Sequence, residues 1–174
     1  SDSIDILHTR IELNVANAPQ ITASATLDLN IKAALVSDIR LDLEGLAVDS
    51  VISGGNALVF SQSGAVLRVN FPGLLAFGDS IRLKIAYHGT PVTDDSGWGG
   101  VLNQNGYFYN LGVGFAADPH SFGRAWFPCF DNFVERCSFE FAVTSVSSKP
   151  AYCNGALINE TPLPGGLTTR FWRL

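Results

Sequence analysis

Residues 21–31 read ITASATLDLNI, and every odd position in this stretch is apolar while every even position is polar. Side chains of a β-strand point alternately to opposite faces, so this pattern predicts a long strand with one buried and one solvated face. Residues 7–15 repeat the pattern, with the apolar side formed by Leu7, Thr9, Ile11, Leu13 and Val15. A period of two therefore dominates the first thirty residues of the chain.

The same alternation continues along the rest of the sequence. It recurs in residues 65–71, 81–87 and 139–143, and shorter candidates are residues 39–43, 48–52, 58–60, 107–111, 152–157 and 168–172. Turn-forming Gly, Pro, Asn and Asp separate these segments, and a helical period is almost absent. We therefore predict an all-β fold, either an antiparallel β-sandwich or a saddle-shaped sheet. Residues 89–106 are glycine-rich and polar, which predicts a long surface excursion.

The composition favours one folded domain of 174 residues, 47% of them apolar. The net charge is −5, and 11 basic residues are scattered among 16 acidic ones. Nucleic-acid binding needs clustered positive charge, and a membrane span needs about 20 apolar residues, so we expect neither. The sequence contains no methionine, and its last residues still alternate like a strand. We expect a processed or excised piece of a longer protein, cut within its C-terminal structure.

The three cysteines are Cys129, Cys137 and Cys153. An odd count without a C-x-x-C pair argues against a disulfide framework or a zinc cluster. The sequence favours three thiols packed as small hydrophobic groups, and it leaves open one disulfide between Cys137 and Cys153. Cysteine usage therefore does not decide the compartment.

The residues themselves form no catalytic pattern. His8, His88 and His120 are far apart in sequence and none lies in an H-E-x-x-H motif. The sequence also lacks a G-x-S-x-G elbow and a phosphate-binding loop. Asn159-Glu160-Thr161 is a glycosylation sequon, which matters only in a eukaryotic secretory route. We therefore expect this domain to hold no metal and to catalyse nothing by itself.

Residues 122–133, FGRAWFPCFDNF, combine Arg124 and Asp131 with five aromatic side chains. Neither a helical nor a strand period explains this order, so the segment must be held rigidly against other structure. We predict an internal ion pair between Arg124 and Asp131, because an arginine–carboxylate fork fixes geometry well. The aromatic residues favour packing in the core or between domains.

Residues 123–131, GRAWFPCFD, are followed by the FEFAV strand at 139–143 and by Asn154-Gly155. With the opening strand at 5–13 and the segments 41–51 and 85–91, this order resembles the N-terminal β-domain of the M1 family of zinc metallopeptidases. That family is the gluzincin group related to aminopeptidase N and leukotriene A4 hydrolase. The resemblance covers residues 1–174 as a single N-terminal β-domain, and the family's catalytic zinc domain is absent from this sequence.

The resemblance implies a division of labour. In the family, a following thermolysin-like domain carries H-E-x-x-H, a downstream Glu and G-x-M-E-N, so zinc belongs to that domain. The N-terminal domain packs on it, walls the cleft, and lends a Gln or Glu to the amino group of the peptide substrate. That position is Pro119 here, flanked by Asp118 and His120. Either Asp118 replaces the negative partner, or the substrate is bound differently.

The resemblance also assigns roles to the aromatic block. Arg124, Trp126, Phe127, Pro128 and Asp131 are expected to be structural or interface residues, with the chain's own C-terminal catalytic domain as the partner. The alternatives are a scaffold or interaction module that keeps the fold without a peptidase, and an unrelated adhesion or carbohydrate-binding sandwich. For the last of these, Trp98 is the only candidate platform in the sequence. The compartment stays open between secreted, periplasmic and cytoplasmic.

Overall fold

A computed structural model describes residues 3–133 and 136–174. Thirteen strands and one short 3-10 helix, Gly123–Ala125, make up its regular structure. The strands are β1 (Ile4–Asn14), β2 (Ile21–Ile31), β3 (Val36–Asp42), β4 (Leu46–Ser53), β5 (Asn56–Ala57), β6 (Val59–Ser63), β7 (Val66–Leu75), β8 (Ser80–Gly89), β9 (Gly99–Gln104), β10 (Tyr107–Gly114), β11 (Ser138–Val146), β12 (Ala156–Leu163) and β13 (Leu167–Arg173). The all-β prediction is confirmed.

Eight strands form one large sheet in the order β12-β13-β11-β1-β2-β8-β4-β5. A three-stranded sheet, β3-β7-β6, packs on one face of it, and β9 and β10 form a separate hairpin. The large sheet is mixed and not purely antiparallel, because β11 pairs parallel with β1. Parallel neighbours need a long crossover, and the chain supplies one between β1 and β11 that contains nine other strands.

One hydrophobic core lies between the two sheets. It is built from the inward positions of the alternating strands, including Leu27 and Leu29 of β2, Leu83 and Ile85 of β8, and Leu67 of β7. Each of these five side chains is at most 1% exposed. Their burial removes a large apolar area from water, and this is the main source of the domain's stability.

The first strand differs from its prediction at one residue. The pairing of β1 with β2 shifts between Ile6 and His8, so Leu7 falls out of the alternation and is 46% exposed. Ile6 takes the inward position that the sequence pattern assigned to Leu7. A β-bulge inserts one extra residue and reverses the facing of everything before it.

Two further predictions are wrong in part. Residues 89–106 do not form a continuous surface excursion, because Gly99–Gln104 is strand β9 and its first four residues are buried. The strand predicted at 152–157 instead runs from Ala156 to Leu163 and lies at the edge of the large sheet. In the described part of the chain, no helix is long and apolar enough to cross a membrane.

Candidate functional site

The aromatic block lies between the β9–β10 hairpin and strand β11, and buried hydrogen bonds hold it in place. The predicted ion pair is present: Arg124 Nη1 lies 2.5 Å from Asp131 Oδ2. Asp131 Oδ1 also accepts the backbone N–H of Gly123 at 2.9 Å, and only 4% of the Asp131 side chain is exposed. The carboxylate therefore closes the loop on itself between Gly123 and Asp131.

The block is also bound to the connection between β3 and β4, which the sequence did not indicate. Arg124 Nε donates to Glu44 Oε2 at 2.9 Å, and Asp42 Oδ2 accepts the N–H of Asp131 at the same distance. Burial alone would lower the pKa of Arg124, but the hydrogen bond to Glu44 and the charge of Asp131 raise it. The guanidinium is thus a fixed cation between two carboxylates.

The aromatic side chains of the block pack inside this domain. Trp126 contacts Phe127 edge-on, with ring centroids 4.8 Å apart, and stacks on Phe141 at 6.1 Å. Phe127 packs edge-on against Phe139, which lies on β11 as Phe141 does. Pro128 is buried. Packing in the core is therefore observed, and Trp126 and Phe127 each keep an intermediate exposure that leaves part of their surface outside.

Cys129 belongs to the block and is 8% exposed. Burial raises the pKa of its thiol well above the ordinary value, and the carboxylates of Asp131 and Asp42 raise it further. Such a thiol is a poor nucleophile at neutral pH. All three cysteines lie within the described residues and none is in a disulfide, as the sequence favoured, although Cys137 and Cys153 are only partly buried.

The segment Asp118–His120 precedes the block and is exposed at all three residues. The peptide bond between Asp118 and Pro119 is cis. His120 Nδ1 lies 3.3 Å from the carbonyl oxygen of Gly114, and its ring stacks on Phe115 with centroids 6.3 Å apart. Among residues 3–133 and 136–174, no side chain or backbone group pairs with Asp118.

Buried contacts fix the backbone on both sides of this segment. On its C-terminal side, Ser121 is buried and its hydroxyl donates to the carbonyl oxygen of Asp131 at 3.0 Å. On its N-terminal side, Asp94 Oδ1 accepts the N–H of Ala116 at 2.9 Å. Asp94 is 4% exposed and is a site residue that sequence reasoning missed, because Asp94-Asp95-Ser96-Gly97 has the composition of a solvated turn.

The residues present do not fit a metal. Within the described ranges, no group of three or more His, Cys, Asp or Glu side chains could hold an ion. The histidines have other partners: Ser138 for His8, Asp49 for His88 and Gly114 for His120. Zinc chemistry is therefore not assigned to any of the residues 3–133 and 136–174.

Exposed aromatic side chains lie beside the candidate segment and on the neighbouring loop and hairpin. Trp98 is 56% exposed and Phe115 is 71% exposed, and the N–H of Phe115 donates to the carbonyl oxygen of Trp98 at 3.2 Å. Tyr107 and Tyr109 on β10 are exposed as well, so the expectation that Trp98 is the only aromatic platform is wrong.

Several solved structures similar to this chain are M1 zinc metallopeptidases. An M1 zinc metallopeptidase from Deinococcus radiodurans matches with a TM-score of 0.86 and 28% identity over 98% of this chain and 39% of that one. A two-domain M1 zinc metallopeptidase variant bound to L-arginine matches with a TM-score of 0.87 and 27% identity, over 99% of this chain and 39% of that chain. Aminopeptidase A from Legionella pneumophila, in complex with aspartic acid, shares the fold with a TM-score of 0.79 at 16% identity, over 99% of this chain and 20% of that one.

No protein-family model and no curated protein matches the sequence. The matched region is the N-terminal part of the metallopeptidase chains, so this chain spans about two fifths of the length of the first two. Over almost its whole length, this chain is therefore similar in fold to the N-terminal β-domain of M1 zinc metallopeptidases.

Proposed function

We propose that this chain is the non-catalytic N-terminal domain of an M1 zinc aminopeptidase, which walls the active-site cleft and helps to position the N-terminus of a peptide substrate. Residues 1–174 form this single domain in the proposal, and a catalytic zinc domain follows it in the whole protein. The peptide substrate and that catalytic domain are its partners. The chain alone carries out no hydrolysis.

The observation that carries the proposal is the unpaired carboxylate of Asp118. It is exposed and without a partner in the described residues, whereas Asp94 and Asp131 on either side of it are buried and fully engaged. A carboxylate on a fixed backbone is the natural partner of an ammonium group, because charge-assisted hydrogen bonds are strong and directional. This chemistry fits the free amino group of a peptide.

His120 adds a second polar group to the same segment. The carbonyl oxygen of Gly114 can only accept, so the 3.3 Å contact places a hydrogen on Nδ1 of His120. In the neutral ring, Nε2 is then an acceptor and can take a hydrogen from the same ammonium group. Pro119 offers no side-chain acceptor, and its role in the proposal is to shape the backbone between Asp118 and His120.

The aromatic surface supports the cleft-wall role. Trp98 and Phe115 lie on the loops that lead into the segment and expose large apolar faces. Exposed aromatic side chains beside a polar group are typical of surfaces that bind a partner or ligand. Trp126 and Phe127 retain partial exposure, and we propose that they contact the catalytic domain.

The first test is the gene sequence that encodes the whole protein. The proposal requires G-x-M-E-N and then H-E-x-x-H downstream of residue 174. Their absence would contradict the peptidase and favour the alternative, a scaffold or interaction module that keeps this fold.

The second test is steady-state kinetics of the whole protein on aminoacyl substrates. We expect Asp118→Asn to raise KM about tenfold with little change in kcat, because one charge-assisted hydrogen bond to the substrate is lost. Asp95→Asn, an exposed carboxylate in the nearby turn, is the matched control and should leave KM unchanged. An active wild type whose KM is unaffected by Asp118→Asn would refute the role of Asp118.

A further inference from the structure

Asp94 is a buried carboxylate with more donors than a structural turn needs. Its Oδ1 accepts the N–H of Ser96 at 3.0 Å and the N–H of Ala116 at 2.9 Å, and it also receives the hydroxyl of Ser96 in a short bond. The N–H of Ala117 also helps to lower the pKa of this carboxyl group. Three hydrogen bonds, from Ser96 and from Ala116, thus converge on one oxygen atom.

Two backbone contacts also join these segments: the N–H of Phe115 reaches the carbonyl oxygen of Trp98 at 3.2 Å, and Gly99 pairs with Gly114 between β9 and β10. Gly114 leaves no space beside the carboxylate, since a Cβ at that position would collide with Asp94 Oδ2. The carboxylate is therefore enclosed by the backbone that it orders.

One of the amides that Asp94 binds, that of Ala116, lies two residues before Asp118. On the other side of the exposed segment, the hydroxyl of Ser121 donates to the backbone carbonyl oxygen of Asp131. Between them, the carbonyl oxygen of His120 accepts the N–H of Gly114 at 3.0 Å, and the ring of His120 contacts the carbonyl oxygen of Gly114. Asp94 is therefore the side chain that holds the backbone on the Asp118 side of the segment.

We infer that Asp94 is a positioning residue for the substrate-amine site: through the amides of Ala116 and Ala117 it fixes where Asp118 presents its carboxylate. This inference rests on the proposed function, because it assigns Asp94 to the site formed by Asp118 and His120. Asp94 itself does not touch the substrate.

The ionisation state of Asp94 agrees with this role. Burial raises the pKa of a carboxyl group, but here the hydrogen bonds from Ser96, Ala116 and Ala117 outweigh it and lower the pKa. The side chain is therefore a carboxylate at neutral pH, with its oxygens available to accept the amide hydrogens.

The structural half of the inference is tested by residue-resolved amide hydrogen exchange. Ala116 is exposed, and the side chain of Asp94 is the acceptor of its amide. In the wild type we expect this amide to exchange at least about tenfold more slowly than that of Asp95. Asp94→Ala removes the Oδ1 atom that accepts these hydrogens and should remove most of the protection at 116 and 117. The control Asp95→Ala should not.

The functional half is tested by kinetics of the whole protein. We expect Asp94→Ala to raise KM for substrates with a free amino group by about three- to tenfold while kcat stays nearly constant, because the carboxylate of Asp118 is displaced and not removed. A merely structural defect would lower the active fraction and leave KM unchanged. In the double variant with Asp118→Asn, the two KM effects should not multiply, since both act on one contact.

The outcomes separate the two proposals. If the wild-type protein releases no N-terminal residues, the proposed function fails, while the exchange experiment still measures whether Asp94 orders residues 116–117. Unprotected amides at 116 and 117 in the wild type would overturn the inference, and this result does not require the variant to fold. An active enzyme whose KM is unchanged in Asp94→Ala would overturn it as well.

Discussion

In the eight-stranded sheet the backbone provides its own hydrogen-bond partners, whereas in residues 93–133 carboxylates accept the amide hydrogens of Ser96, Ala116, Gly123 and Asp131. Strands β2 and β8 pair without interruption from Ile21 to Asn30. The loops around the candidate segment instead depend on Asp94 and Asp131. Two side chains thus supply hydrogen-bond acceptors there, whereas in the sheet the backbone carbonyls of neighbouring strands supply them.

This difference predicts two kinds of sensitivity. The sheet should be damaged by loss of apolar volume and should tolerate changes of charge on its solvated face. The loops should be damaged by loss of charge, because an unpaired buried group costs its full desolvation energy. The substitutions below test this contrast in order of decreasing effect.

The largest effect is expected in the core of the sheet. Leu27 is fully buried between the two sheets, and Leu27→Ala should lower the free energy of unfolding by about 3–4 kcal/mol, through lost transfer energy and a residual cavity. Denaturant unfolding measures the change. Leu74→Ala, the same replacement at a leucine that is 61% exposed, is the control and should cost less than about 1 kcal/mol. Equal losses would show that burial does not decide the stability of the sheet.

The next effect concerns the charge in the loops. Asp131→Asn should lower the free energy of unfolding by about 2–3 kcal/mol, because Arg124 loses the more buried of its two carboxylate partners and keeps Glu44. Urea unfolding gives the difference. A loss below about 1 kcal/mol would mean that the loops do not depend on this pair and would remove the contrast with the sheet.

A smaller loss of stability is expected when Gly114→Ala adds a single methyl group beside Asp94. Gly114→Ala places a Cβ against the carboxylate, so we expect a loss of about 1–2 kcal/mol from overpacking. Gly73→Ala is the matched control, because nothing lies within 4 Å of its Cβ and its backbone φ is not positive. Thermal unfolding of both variants tests the prediction, and equal midpoints would show that the loop around Asp94 yields easily.

The sheet was predictable from sequence because its rule is local. The alternation of residues 21–31 matches strand β2 at both ends, since one buried and one wet face impose a period of two. Strand β9 was missed because its first four residues are all buried, which removes the alternation, and because two of them are glycine. Leu7 was misassigned because a bulge leaves no mark in the polar–apolar pattern.

The loops were predictable only where the partners are near in sequence. Arg124 and Asp131 lie seven residues apart in one unusual block, and their pairing was predicted correctly. Glu44 lies 80 residues from Arg124, and Asp94 lies 22 residues from Ala116, so neither contact has a local signal. The position of such groups depends on how the loops pack, which a single sequence does not specify.

The smallest predicted effect lies on the solvated face of the sheet and depends on pH. Asp28 on β2 forms a two-pronged ion pair with Arg82 on β8, at 2.6 and 2.8 Å, but the Arg82 side chain is 72% exposed. Solvent screening limits such a pair, so Asp28→Asn should cost less than about 1 kcal/mol at pH 7. This loss, well below that for Asp131→Asn, is the sharpest form of the contrast, since both changes remove a carboxylate bound to an arginine.

The sign of the pH dependence follows from the ion pair. The hydrogen bond from Arg82 lowers the pKa of Asp28 below its value of about 3.9 in an unfolded chain. The contribution of the pair is therefore present above that pH and is lost as the pH falls through the lowered pKa of the folded state. Urea unfolding of the wild type and Asp28→Asn should show a small gap at pH 7 that closes toward pH 2–3. A gap that persists at low pH would mean that the asparagine perturbs packing, because protonated Asp28 has no charge left to lose.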